Sequence, residues 1–271
     1  MTTTIALAGK GGVGKTTIAS LIIKYLVEKQ SGAVLAIDAD PSSNLNMVLG
    51  LDLEWTVGDI REDLLQQVKK SLTATGAAMG SIAGGVTKRD YLNYQIHAAL
   101  AEGDRFDLIA MGQPEGQGCY CAVNHNLRQV IDDIGKNYRY IVIDNEAGME
   151  HLSRRTTRDV QQLLIVSDPS LRGLVAAERI AQFRHELDIH IEHTGLILNR
   201  VPDTIPLAAQ SYIDKMEIPL LGQVPIDELL MEYEFSGRPF TELSNDCKVV
   251  QAIRSIMEDR MNLVNRHTNT S

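Results

Sequence analysis

A doubly wound α/β fold on a mainly parallel sheet is the class this sequence predicts, and three observations predict it. Seven short aliphatic runs read as strands buried on both faces, patterns of helical period lie between them, and the first strand runs straight into a glycine-rich loop. A length of 271 residues is absorbed by one such domain spanning 1–271. Hydrophobic residues at 44% and charged residues at 23% supply a sizeable core and exclude a disordered or fibrous chain. The formal charge of −9 repels phosphate backbones, so no nucleic-acid partner is expected. No apolar run reaches the roughly 18 residues of a spanning helix, and TTTIALAG at the N-terminus is strand-like rather than a signal sequence. A cytoplasmic protein without a membrane partner follows as the expectation.

In chain order the expected strands are IALAG (5–9), AVLAID (33–38), FDLIAMG (106–112), YIVIDNE (140–146), LLIVSD (163–168), TGLILNRV (194–201) and LLGQVP (220–225). Helical spacing of apolar residues over 16–30, 127–135, 173–187 and 206–216 supplies right-handed crossovers. Residues 56–103 break the alternation with a polar helical pattern, the small-residue stretch TATGAAMGSIAGG (73–85) and a helical piece holding Tyr91 and Tyr94. That segment reads as an insertion covering an edge or face of the core. The last helix, over 248–265, carries Val249, Val250, Ile253, Ile256, Met257 and Val264 on one stripe. Packing on the sheet explains the stripe, because Glu258 and Asp259 dilute the basic face a membrane-surface helix needs.

The strand IALAG leads into Gly9-Lys10-Gly11-Gly12-Val13-Gly14-Lys15-Thr16-Thr17 and then into a helix, the context that a G-x-x-x-x-G-K-[ST] phosphate loop requires. Glycines let backbone N–H groups turn toward phosphate oxygens, and the helix N-terminus adds partial positive charge. Lys15 reaches the outer phosphates and Thr16 offers a hydroxyl to Mg²⁺.

Lys10, directly after the first glycine, is not required by an ordinary phosphate loop. GKGGVGKTT resembles the deviant Walker A ATPases, the SIMIBI-type P-loop NTPases that include MinD/ParA proteins and the nitrogenase iron protein. The resemblance implies a homodimer in which Lys10 crosses to the partner's phosphates. Asp38-Ala39-Asp40-Pro41 looks like switch I, with Asp40 on the attacking water and Asp38 nearer the magnesium, or the two roles exchanged. Asp144, followed at the fourth place by Gly148, resembles Walker B and switch II. Asn199 and Arg200 in LILNRV resemble the adenine-reading Asn-Lys/Arg pair, and Pro225 lies where the family packs the ring. ATP is expected over GTP, because Asn199-Arg200-Val201-Pro202 does not match N-K-x-D.

Three cysteines cannot all pair with one another, and Cys119-Tyr120-Cys121 is too tight for an easy disulfide. Two thiolates behind the glycine-rich loop 112–118 point to a soft metal. One chain supplies two ligands where Zn²⁺ or Ni²⁺ takes four, so a symmetric dimer would close the shell. His125 and Cys247 are weaker ligand candidates, and His151, after the Asp144 element, reads as coupling switch II to the dimer face rather than as a ligand. GKGGVGKTT, DADP, GCYC, AGMEHLSR and NRV, in that order, resemble the CooC-type ATPases of carbon monoxide dehydrogenase maturation. That resemblance implies ATP hydrolysis with Mg²⁺, Ni²⁺ held by Cys119 and Cys121 with Zn²⁺ able to occupy the same site, and carbon monoxide dehydrogenase as client. A paralogue serving acetyl-CoA synthase would share the motifs. An iron–sulfur reductase would need a second cysteine segment near Asp144, which is missing. A positioning ATPase leaves the thiol pair unexplained.

Overall fold

The computed structural model describes residues 2–75, 87–112, 129–147, 159–186 and 189–268. Their strands are β1 (Thr3–Gly9), β2 (Val34–Asp38), β3 (Ala101–Glu102), β4 (Phe106–Ala110), β5 (Tyr140–Asp144), β6 (Asp159–Ser167), β7 (His190–Val201) and β8 (Leu220–Pro225). They form one sheet in the order β3-β4-β2-β5-β1-β6-β7-β8. Every pairing is parallel except that of β3 with β4. All seven strands expected from the sequence are present. The eighth, β3, is a two-residue edge strand too short to carry any periodicity.

Alternation along the strands divides the interior into two cores. Ala6, Ala8, Leu35, Ile37, Ile143, Leu163, Ile165, Leu196 and Leu198 face one layer of helices. Ile5, Leu7, Val34, Ala36, Val142, Leu164, Val166 and Ile197 face the other. This period of two, with apolar residues in both phases, is why the strands read as continuous apolar runs.

On the first face lie α3 (Val57–Thr75), α4 (Lys88–Ala98), a helical stretch over 129–135, α5 (Leu171–Phe183) and α6 (Leu207–Ile213). The segment 56–103 therefore supplies α3 and α4, whose Val57, Ile60, Leu64, Leu92 and Ile96 belong to that core. On the second face lie α1 (Lys15–Glu28), α2 (Leu45–Leu49), α7 (Glu228–Ser236) and α8 (Lys248–Thr268). The stripe Val249, Val250, Ile253, Ile256 and Met257 of α8 is buried there, as its spacing requires. Cys247 is a free, buried thiol just ahead of that helix. Among the described residues no helix is long and apolar enough to cross a membrane.

The second face is tied together by polar groups as well as by packing. Lys24 on α1 is buried and donates to Glu28 at 2.6 Å and to the Thr241 carbonyl at 2.9 Å. Asp227 links two helices with one carboxylate. Its Oδ1 accepts from the Leu229 and Leu230 amides at 2.9 and 3.2 Å, and its Oδ2 accepts from the Lys248 amide at 3.2 Å. A carboxylate on two helix N-termini satisfies orphan donors and complements both dipoles. Asp227→Ala should lower unfolding free energy by about 2 kcal/mol in urea titrations, and Asp227→Asn by about half as much. An unchanged urea midpoint for Asp227→Ala would show that neither cap contributes.

Candidate functional site

The functional residues gather at the carboxyl ends of the central strands, where the winding of the chain reverses at β1 and a doubly wound sheet opens its crevice. β1 delivers the phosphate loop and β2 and β5 each deliver an aspartate. Asp38 lies directly opposite Asp144 across the β2–β5 pair, and Asp144 lies opposite Leu7 across β5–β1. Two carboxylates and the loop are therefore adjacent because of strand register alone.

The loop folds so that α1 starts at Lys15, with Gly14 as its cap at φ +91°. A side chain at position 14 would be strained by that dihedral, and its Cβ would stand 2.3 Å from Asn199 Nδ2. Lys15 is buried, and its Nζ donates to the Lys10 carbonyl at 3.3 Å. Burial lowers its pKa, opposed by the negative charges of Asp144, Asp40 and Glu146. Lys10 itself is exposed.

Asp144 is 1% exposed, and burial raises its pKa from 3.8 to about 7. A hydrogen bond from the Thr16 hydroxyl and the charge of Lys15 oppose the rise, while Asp38 and Asp40 add to it. Its Oδ1 is buried without a hydrogen-bond partner. Asp38 is fully buried, and desolvation raises its pKa to about 6. Both of its oxygens are engaged: Oδ1 accepts from the Asp40 amide at 3.1 Å and Oδ2 from the Leu45 amide, at the start of α2, at 2.9 Å. Asp40 is only half-buried and accepts from the Ser42 amide through Oδ1 at 2.8 Å. Register and burial thus give the three aspartates different surroundings. Asp38 anchors the segment that leaves β2, Asp40 stays half-buried, and Asp144 keeps an oxygen without a hydrogen bond beside Thr16.

That arrangement fits Mg²⁺. A buried carboxylate oxygen lacking a partner, next to a threonine hydroxyl and a lysine, is the oxygen-donor set that a magnesium ion shared with phosphates uses. Both oxygens of Asp38, in contrast, already accept from backbone amides.

Asn199 is buried, and its Nδ2 donates to the Val13 carbonyl at 2.8 Å. The Arg200 guanidinium donates to the Gly12 carbonyl at 2.9 Å. Both side chains meet the phosphate loop itself, a contact that motif matching does not reveal. Pro225 ends β8 beside Val201 of β7. Cys119, Cys121, His125, Gly148 and His151 lie outside the described residues. Among the described residues no group of three or more His, Cys, Asp or Glu forms a metal cluster.

Two residues at the site escape the sequence reading. Asn145 is 1% exposed, donates through Nδ2 to the Leu7 carbonyl at 2.7 Å and so bolts the end of β5 to β1. Glu146 adds negative charge near Lys15. Their position directly after Asp144 is the signal that could have found them. Beside the loop, an exposed groove of about 480 Å³ is lined by Lys10 and by Leu171, Arg172, Val175, Ala176 and Arg179 of α5.

The fold and this site define a P-loop ATPase. The profile of the CobQ/CobB/MinD/ParA nucleotide binding domain matches residues 4–240, and the chain belongs to that family. It is 41% identical to an uncharacterised ATP-binding protein of Methanocaldococcus jannaschii, over 95% of this chain and 98% of that one. It is 29% identical to the carbon monoxide dehydrogenase accessory protein CooC of Rhodospirillum rubrum, over 90% and 91% of the two chains. The fold matches that of the septum site-determining protein MinD of Pyrococcus horikoshii, solved with Mg-ADP, at a TM-score of 0.65 and 23% identity, covering 97% of this chain and 98% of that one.

The raised carboxylates fix a pH dependence. An aspartate whose folded pKa exceeds its unfolded value holds a proton that the unfolded chain has already lost, so stability falls as pH rises through the gap between the two. For Asp38 and Asp144 the gap runs from 3.8 to about 6 and to about 7. The melting temperature of the nucleotide-free protein should fall between about pH 4 and about pH 7, and Asp144→Asn should flatten the slope. A slope identical in Asp144→Asn would remove Asp144 from the account.

Proposed function

We propose that this chain is an ATP-hydrolysing homodimeric metallochaperone that carries Ni²⁺ on Cys119 and Cys121 and inserts it into carbon monoxide dehydrogenase in the cytoplasm. The observation that carries the reading is likeness to CooC over nine-tenths of both chains, in a sequence that holds a Cys-x-Cys pair after β4. The root of the segment bearing that pair supports a link to nucleotide state. Met111, just past β4, donates its amide to the Asp38 carbonyl at 2.8 Å and accepts from the Gly58 amide at 3.0 Å. The thiol segment therefore leaves the sheet from a residue bonded to the switch I strand.

In this reading the phosphate-loop residues Gly9 through Thr17 cradle ATP and Lys15 holds the outer phosphates. Thr16 and Asp144 would hold Mg²⁺, which would supply positive charge against the phosphates. Asp40, half-buried, orients the water that attacks the γ-phosphorus; the bond to the β–γ bridging oxygen breaks, giving ADP and phosphate. Gly148 senses the γ-phosphate in switch II, Pro225 flanks the adenosine end, and Asn199 and Arg200 stand against the phosphate loop. Lys10 reaches the partner's phosphates. Its exposure on a groove floored by apolar Leu171 and Val175 suits a face that a second chain covers. The four thiolates of two chains hold one Ni²⁺ as cargo, with Zn²⁺ a competitor for the same sulfurs.

Purified, reduced protein should bind about one Ni²⁺ per two chains, and the Cys119→Ser/Cys121→Ser variant should lose it while keeping ATP hydrolysis. Nickel binding that survives the double substitution would sink the reading, and iron with sulfide in its place would move it to an iron–sulfur reductase. Lys10→Ala should keep nucleotide binding yet lower kcat by about a hundredfold or more. An unchanged kcat would exclude the trans lysine.

A further inference from the structure

The end of β7 is irregular where it meets the phosphate loop. Leu198 pairs with Gln223 and Val201 with Pro225, so three steps on β7 oppose two on β8. Asn199 and Arg200 occupy this bulge. Arg200 takes φ +55°, a left-handed backbone that a residue with a Cβ rarely adopts. In an unbroken strand consecutive side chains point to opposite faces. Here both reach one loop: Asn199 Nδ2 donates to the Val13 carbonyl at 2.8 Å and the Arg200 guanidinium to the Gly12 carbonyl at 2.9 Å. A bulge re-aims a side chain in this way, and strain kept in a non-glycine residue beside a site marks a functional demand.

The consequence follows from the planarity of the peptide group. In a trans peptide the C=O and the following N–H point in opposite directions. Drawing the Gly12 carbonyl toward Arg200 turns the Val13 N–H the other way, and drawing the Val13 carbonyl toward Asn199 does the same for the Gly14 N–H. We propose that Asn199 and Arg200 are positioning residues that hold two phosphate-loop peptides in their anion-binding orientation before nucleotide arrives. They act through the loop's backbone, so their ligand-level effect falls on phosphate oxygens and is independent of the base. The inference rests on the ATPase reading and is separate from the nickel reading.

The test uses Arg200→Gly, Arg200→Lys and the wild-type chain, with melting temperature, ATP hydrolysis and affinity for ADP and for inorganic tripolyphosphate as readouts. Glycine accepts φ +55° without strain, so Arg200→Gly should melt at or above the wild-type temperature. Its KM for ATP should rise, and its affinities for ADP and tripolyphosphate should fall together, by about tenfold. Arg200→Lys keeps a donor and should stay within about threefold of wild type. Loss of ADP affinity with tripolyphosphate affinity intact would overturn the proposal in favour of base reading. Loss of melting temperature in step with affinity would overturn it in favour of a general structural role, and unchanged affinities would overturn it outright. A wild-type chain that neither binds nor hydrolyses ATP would instead overturn the ATPase reading.

Discussion

Removing two carboxylates and one lysine from water, side by side, is the constraint on which the rest of the site depends. Asp38 and Asp144 lie opposite each other on neighbouring parallel strands, each nearly or fully buried, with Lys15 of the phosphate loop close enough to Asp144 to offset part of its cost. Without phosphates the arrangement is electrostatically unfinished: burial pushes both carboxyls toward neutrality and Lys15 toward loss of its proton. A ligand bringing negative phosphates and a divalent cation supplies the missing partners, which makes binding selective for the pair over either alone.

Such a site needs a rigid frame, and the sheet provides it. The phosphate loop is held by β7 through Asn199 and Arg200 and by the packing of α1 on the second core, and Asn145 ties β5 to the strand that leads into it. The segment after β2 is held through its aspartates. Its loop hangs on Asp38, whose oxygens cap the backbone at Asp40 and Leu45, so a change at Asp38 or Asp40 is passed to α2 and, through the Asp38 carbonyl, to Met111.

Much of this was legible in the sequence, for identifiable reasons. The strands announced themselves because burial on both faces forces continuous apolar runs, and the phosphate loop because close backbone approach at Gly14 excludes any side chain. Asp38, Asp40 and Asp144 were legible as strand-end carboxylates, but not the division of labour among them, which depends on which backbone amides each meets. Asn199 and Arg200 stand out in the sequence as a motif, while their contact with loop carbonyls depends on a bulge and a left-handed backbone that no local pattern encodes. The double cap at Asp227 was invisible for the same reason, since Lys248 reaches it only through the tertiary fold. β3 is too short to leave a trace, and the thiol pair lies outside the described residues.

The most direct test of the central claim, that the buried carboxylates are completed by a cation accompanying the phosphates, is proton release on binding. Calorimetric titration of ADP and of preformed Mg-ADP at about pH 6.5, repeated in buffers of different ionisation enthalpy, counts the protons released in each case. The account predicts that Mg-ADP releases more protons than ADP, with the excess lost in Asp144→Asn. Equal release with and without Mg²⁺ in the unaltered chain would contradict it.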